Sequence, residues 1–214
     1  MKKSIAVLGA GKYGSSLAKA LYDLGEDVLV ADRDEKTIRD ISPKVTTAVC
    51  ADLGDEDEVL ALGLQYMDMV IVCMGENLAA SIVCVSIAKE KGVPTVIAKA
   101  SSSRMKSVLT RVGADKIIDP EEEGGIRSAR ILASKYIRDY FEIDENLCML
   151  ELQPPEAWTG HNLIELHLRK KHNVNVAAIK NENGNWGSVD PALILKEDDL
   201  MMIIVEKKDV NKWR

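Results

Sequence analysis

Three glycines, Gly9, Gly11 and Gly14 in AVLGAGKYGSSLA (residues 6–18), follow an apolar run and open an amphipathic one. This spacing suits a ligand that carries a pyrophosphate. Gly9 permits a tight turn, Gly11 lets backbone N–H groups approach the phosphates, and Gly14 lets a helix pack closely on the preceding strand. The N-terminus of that helix adds unpaired N–H donors and the positive end of a dipole. Asp32, 18 residues beyond Gly14, stands where a carboxylate would bond ribose hydroxyls. A bare glycine triplet is weak evidence; with its strand, its helix and an acidic residue at this distance it is strong. Further along, CADLGD places Asp52 within reach of an adenine edge. CMGENLAAS places Gly75, Glu76 and Asn77 beside the pyrophosphate, and IAKASSS aims Lys99 at the same crevice. Each has a plainer alternative: Asp52 as a turn former, Asn77 as a helix cap, Lys99 as a solvated strand end.

The elements that must position these groups alternate along the chain. Strand-like runs at Ser4–Leu8, Asp27–Ala31, Val45–Cys50, Met69–Cys73, Thr95–Ala98 and Lys116–Ile118 are separated by helical patterns, including Glu56–Leu62, Leu78–Lys91 and Met105–Val112. This predicts an α/β fold, a doubly wound parallel Rossmann sheet in the order 3-2-1-4-5-6, with its ligand crevice between the first and fourth strands. From Pro120 the segment PEEEGGIRSARILASKYIRDYFEI shows apolar residues at helical spacing as far as Tyr140 and Phe141, more than one sheet face would cover. It reads as a crossover helix with one side on its own sheet and the other on a second copy of the chain, or else as a helix sandwiched between two domains of one chain. The expected division is therefore 1–141 and 142–214. The second part, a small α+β domain, holds strands in LCMLEL, NVAAIK and LMMIIVE, one helix in LIELHLRKK and a hairpin turn at Asn183-Gly184.

Composition limits the function. The formal charge of −6 (28 Lys+Arg against 34 Asp+Glu) and the lack of a dense basic cluster argue against nucleic-acid binding. No stretch approaches the roughly 20 apolar residues of a membrane span, and the start is too short for a signal peptide, which predicts a cytoplasmic protein. The four cysteines show no paired spacing and are expected to be buried, reduced thiols. A dehydrogenase would need an acid or base beside the nicotinamide, yet His161, His167 and His172 all lie in the small domain. The residues favour a nucleotide that reports its presence over one that reacts, with a small NAD-dependent oxidoreductase as the alternative and a redox-sensing regulator as a third.

The stretches SIAVLGAGKYGSSLAKAL, ADRDEKTIRDI, AVCADLGDEDEVLALGL, VIVCMGENLAAS, VIAKASS and GADKIIDPEE resemble, in order, the nucleotide-binding half of the cytosolic gating subunits of bacterial Ktr and Trk potassium-uptake systems. These domains are called regulators of potassium conductance, and LIELHLRKKHNVNVAAIK resembles their C-terminal subdomain. The resemblance implies a nucleotide-sensing, non-enzymatic subunit peripheral to the inner face of the membrane. Homodimers linked through the crossover helix would assemble into a ring, an octamer, beneath a potassium channel, with ATP/ADP or NAD(H) altering its shape. It supports Gly9, Gly11, Gly14, Asp32, Asp52, Asn77 and Lys99 as contacts, with Lys12, Tyr13, Arg33, Leu53, Gly75 and Glu76 completing the set. Many relatives carry Arg at the position of Lys12; Arg forks onto phosphate, whereas Lys makes a point contact. The resemblance further implies that Glu121, after Pro120, helps to hold Mg²⁺ or Ca²⁺ at a dimer interface near the ATP phosphates. The plainer reading places Glu121, Glu122 and Glu123 in a first helical turn, facing water. In some Ktr-type relatives the small domain binds cyclic di-AMP, for which Arg169 and Asn175 are the matching positions, with a solvated basic helix end as the alternative.

Overall fold

The computed structural model describes residues 2–180 and 184–213. The chain divides into two compact units, Met1–Glu122 and Glu123–Arg214.

In the first unit the strands are β1 (Ser4–Leu8), β2 (Asp27–Asp32), β3 (Thr47–Cys50), β4 (Met69–Val72), β5 (Thr95–Lys99) and β6 (Lys116–Ile118). Between them run α1 (Lys12–Asp23), α2 (Glu35–Ile41), α3 (Glu56–Ala61), α4 (Leu78–Glu90) and α5 (Ser103–Val112). All neighbouring strands pair parallel, in the order β3-β2-β1-β4-β5-β6. A parallel sheet needs crossovers, and these place helices on both faces, so central strands are apolar throughout. Ile5 to Leu8 are accordingly all buried. One apolar cluster gathers Leu53, Val59, Leu64, Cys84, Val85 and Leu109, and a second gathers Val7, Ala18, Val28, Val30 and Ile38. α4 is apolar around most of its circumference and buries Ala80, Ser81, Cys84, Val85, Ile87 and Ala88. Leu8 lies abreast of both Ala31 and Val72, so the carboxyl ends of β1, β2 and β4 finish at one level.

α6 (Pro120–Leu132) carries the chain from one unit into the next and has no fully buried residue. It ends well short of the expected position. Residues 137–142 form β7 (Ile137–Glu142), which pairs antiparallel with β8 (Leu147–Leu152). The register slips between Ile137 and Asp139, leaving Arg138 as an extra residue. Ile137 and Tyr140 are therefore both buried although three residues apart. That spacing imitates a helix. Ser134 stops α6, its Oγ accepting the N–H groups of Tyr136 (3.1 Å) and Ile137 (3.0 Å) and donating to the Trp213 carbonyl.

The second unit continues with α7 (Leu163–Leu166), α8 (Leu168–His172), β9 (Asn175–Lys180), β10 (Trp186–Gly187) and β11 (Met201–Glu206), in an antiparallel sheet ordered β10-β9-β11-β8-β7. The expected single helix over 163–171 is broken at His167, whose φ of 49° is left-handed. An Asn162–Glu165 capping box starts α7, and a tripeptide later the turn has already closed. Asn183 of the expected hairpin turn lies outside the described residues; Gly184 has a φ of 78°. The core of this unit packs Ile137, Tyr140, Leu150, Leu152, Trp158, Met201, Ile203 and Trp213.

Candidate functional site

A cleft of about 450 Å³ opens at the carboxyl ends of β1 to β5. It is lined by Gly9, Gly11, Asp32, Arg33, Asp52, Leu53, Gly75, Glu76, Asn77 and Lys99, all expected from sequence, and also by Gly54, Cys73, Met74 and Ala80. Strand order reverses here, where open α/β sheets hold ligands.

The glycine loop is built for close approach. Gly9 has a φ of +100°, and its N–H donates to the Ala31 carbonyl at 2.8 Å. A Cβ on Gly14 would stand 2.0 Å from the Gly9 carbonyl oxygen, so α1 can lie this near β1 only with glycine there. Gly11 differs: a Cβ on it would meet nothing within 4 Å. The protein's own packing leaves that space open, on the wall of the cleft and at the N-cap of α1, where no side chain caps the first turn.

Asp32 holds the loop from the side. Its Oδ2 accepts the Ala10 N–H at 2.6 Å and its Oδ1 accepts the Asp34 N–H at 3.0 Å. Each oxygen keeps a second lone pair for a hydroxyl donor. Asp52 Oδ1 accepts the Gly54 N–H at 2.9 Å, and Asn77 caps α4 by accepting the Ala80 N–H at 3.1 Å. Both thus perform the plainer structural task while lining the cleft.

Lys99 is largely buried, and its Nζ lies 2.5 Å from Glu121 Oε1 and 5.7 Å from the centre of the Tyr13 ring. A Cβ on Gly75 would stand 3.1 Å from Lys99 Cε. The Lys99 ammonium, hydrogen-bonded to Glu121, holds that carboxyl below its ordinary range. Lys106 binds Glu122 at 2.5 Å and Asp119 at 3.3 Å, and Asp119 caps the Glu122 N–H at 3.0 Å. Two lysines therefore offset part of the acidic charge at the start of α6, pairings that sequence reasoning missed. The signal was present only as charge, in AKASSSRMK and DPEEE. Among the described residues no group of three or more His, Cys, Asp or Glu is arranged to hold a metal ion. Glu121, the expected cation ligand, is engaged by Lys99 in the single chain.

Residues 5–120 match the TrkA-N domain family. Across 215 residues the chain is 34% identical to Ktr system potassium uptake protein C of Bacillus subtilis, covering 100% of this chain and 96% of that protein. The chain belongs to the Ktr and Trk family. It is also 33% identical to Ktr system potassium uptake protein A of Vibrio alginolyticus, over 99% of this chain and 97% of the other. The GsuK channel, solved bound to NAD, shares the fold with a TM-score of 0.66 at 14% identity, over 98% of this chain and 38% of its own.

Three expected contacts of this Ktr-type chain lie off the cleft wall. Gly14 sits beneath Gly9, and Tyr13 lies below Lys99. Lys12 lines an adjoining groove, which meets the cleft at Gly11, with Ser15, Lys19, Thr37 and Lys44. The cysteines also differ from expectation. Cys73, Cys84 and Cys148 are buried, and burial pushes the first two thiols up to about 12, but Cys50 is exposed at the end of β3. In the second unit Arg169, on α8, and Asn175, which opens β9, are both exposed. His161 Nδ1 lies 3.4 Å from Glu165, the His172 ring lies tilted by 50° against Trp158 with ring centres 5.8 Å apart, and no histidine lines the cleft. No helix among the described residues is long and apolar enough to cross a membrane.

Proposed function

We propose that this chain is the nucleotide-sensing regulatory subunit of a membrane potassium-uptake system. The observation that carries the proposal is the cleft at the strand-order reversal. There Gly11 leaves a space that no protein atom fills, and Asp32 braces the loop around it. ATP, ADP or NAD(H) would lay its phosphates on Gly11 and the first turn of α1, its ribose on Asp32 and its adenine toward Asp52 and Leu53. Copies of the chain pair through α6 into a cytoplasmic ring, an octamer, against the membrane partner. Cyclic di-AMP on Arg169 and Asn175 is a second ligand of this reading.

A nucleotide shifts such a ring only by its difference in affinity between two shapes, and a tenfold change in opening needs about 1.4 kcal/mol. Lys99 is the group placed to register that difference. A terminal phosphate reaching it would compete with Glu121 and so release one of the two lysine tethers at the start of α6. Lys12, outside the cleft, contributes through the field at the helix mouth.

The test is a thermal-shift panel of ATP, ADP, NAD⁺, NADH, NADPH and cyclic di-AMP. ATP, ADP and NAD(H) should stabilise the protein and NADPH least, because Asp32 repels a 2′-phosphate. Asp32→Ala should weaken the adenine nucleotides by about 1–3 kcal/mol, the scale of a hydrogen bond to a charged group. Consumption of NADH with carbonyl substrates would instead favour the oxidoreductase.

A further inference from the structure

Between β4 and α4 the cleft wall is a tight turn. The Asn77 N–H donates to the Met74 carbonyl at 3.1 Å, which makes Gly75 and Glu76 the central residues of that turn. Both line the cleft. Their backbone N–H groups have no acceptor among the described residues, whereas the carbonyls of the same two peptide units are engaged by serine hydroxyls. Ser101 Oγ donates to the Gly75 carbonyl. Ser81 Oγ shares its proton between the carbonyls of Asn77, at 2.8 Å, and Met74, at 3.1 Å. Neither serine lines the cleft. Ser81 is fully buried on a helix face otherwise made of Ala80, Cys84, Val85 and Ala88, where a hydroxyl is costly unless it is hydrogen-bonded.

In a trans peptide unit the C=O and the N–H point in opposite directions. A hydroxyl that draws the Gly75 carbonyl off the wall therefore turns the Glu76 N–H the other way, and one that draws the Met74 carbonyl does the same for the Gly75 N–H. Glycine at a turn centre lets such a peptide plane flip at little steric cost. A flipped unit would present the negative end of its dipole to a phosphate in place of a donor.

We propose that Ser81 and Ser101 are positioning residues of the nucleotide site, which fix this turn so that the Gly75 and Glu76 N–H groups meet the phosphates. The inference rests on the nucleotide reading of the cleft. Calorimetry of the full-length protein with ADP, and with adenosine by competition, tests it. Ser81→Ala and Ser101→Ala should each weaken ADP by roughly three- to tenfold, the range of one neutral hydrogen bond, while adenosine, which has no phosphate, stays within about twofold. Ser101→Thr keeps the hydroxyl and should bind ADP as the unaltered protein does. Serines that merely held the fold would weaken both ligands together. Equal losses for ADP and adenosine, unchanged ADP affinity in either Ala variant, or a Thr variant as weak as Ser101→Ala would overturn the assignment. Failure of ADP to bind the unaltered protein would instead overturn the nucleotide reading, and the assignment with it.

Discussion

Gly11 and Gly14 show how the same residue type answers to two different demands. At Gly14 the constraint is internal, since a Cβ would collide with the Gly9 carbonyl at 2.0 Å. Gly14→Ala should therefore lower stability by about 1–3 kcal/mol in urea unfolding, the scale of overpacking. At Gly11 the constraint comes from outside the chain. Gly11→Ala should leave unfolding within about 0.5 kcal/mol, yet weaken ATP and NADH in calorimetry, because the methyl occupies the space reserved for phosphate. The Lys99–Glu121 pair gives a pH signature of its own. Glu121 titrates below its ordinary 4.5 when folded. Its contribution is complete above the unfolded value and is lost as pH falls through the depressed one. Acid unfolding of Glu121→Gln should be less steep in that window than that of the unaltered protein. With Lys99 no longer held by a carboxylate, the variant should also bind ATP more tightly. Identical acid profiles would mean that the pair contributes nothing in solution.

At the scale of elements, β7 departs furthest from its sequence pattern. Ile137, Tyr140 and Phe141 fall at spacings of three and four, which helices use, and the segment is nonetheless a strand because a bulge at Arg138 inserts one residue. Deleting Arg138 would leave Ile137 and Tyr140 two residues apart on one face of a regular strand, with their pairing to Leu152 and Leu150 kept, so both stay in the core. Urea unfolding should then stay within about 0.5 kcal/mol. Arg138→Ala keeps the extra residue and should stay within about 0.5 kcal/mol. An equal loss in both would locate the effect in the Arg138 side chain, which donates to Gln153, and not in the bulge.

At the scale of the whole molecule, α6 is the element left unfinished. It has no fully buried residue, and it exposes Ile126 and, at 85%, Leu132. Isolated apolar side chains on a surface are ordinary, but a helix that buries no residue draws little stability from its own chain. The proposed pairing of copies through α6 covers that face. Ile126→Asp with Leu132→Asp should convert the protein to a monomer in sedimentation velocity, with nucleotide binding to the cleft retained. An unchanged sedimentation coefficient would remove α6 from the interface.

The sequence by itself determined the Rossmann sheet, its strand order, and ten of the residues on the cleft wall. Those features are written in short-range terms: buried parallel strands must be apolar runs, and a turn with positive φ beside a closely packed helix requires glycine at set intervals. Gly54, Met74 and Ala80 escaped notice because they line the cleft through neighbouring backbone and small side chains, without a charge or motif to mark them. Tertiary structure alone decided the rest. Lys99 and Glu121 are 22 residues apart, and sequence shows two charges without showing that they meet. The bulge at Arg138 arises from pairing with β8, and the break at His167 from a left-handed residue that no glycine announced. Helical and strand periods coincide over so few residues, and only the partner strand distinguishes them.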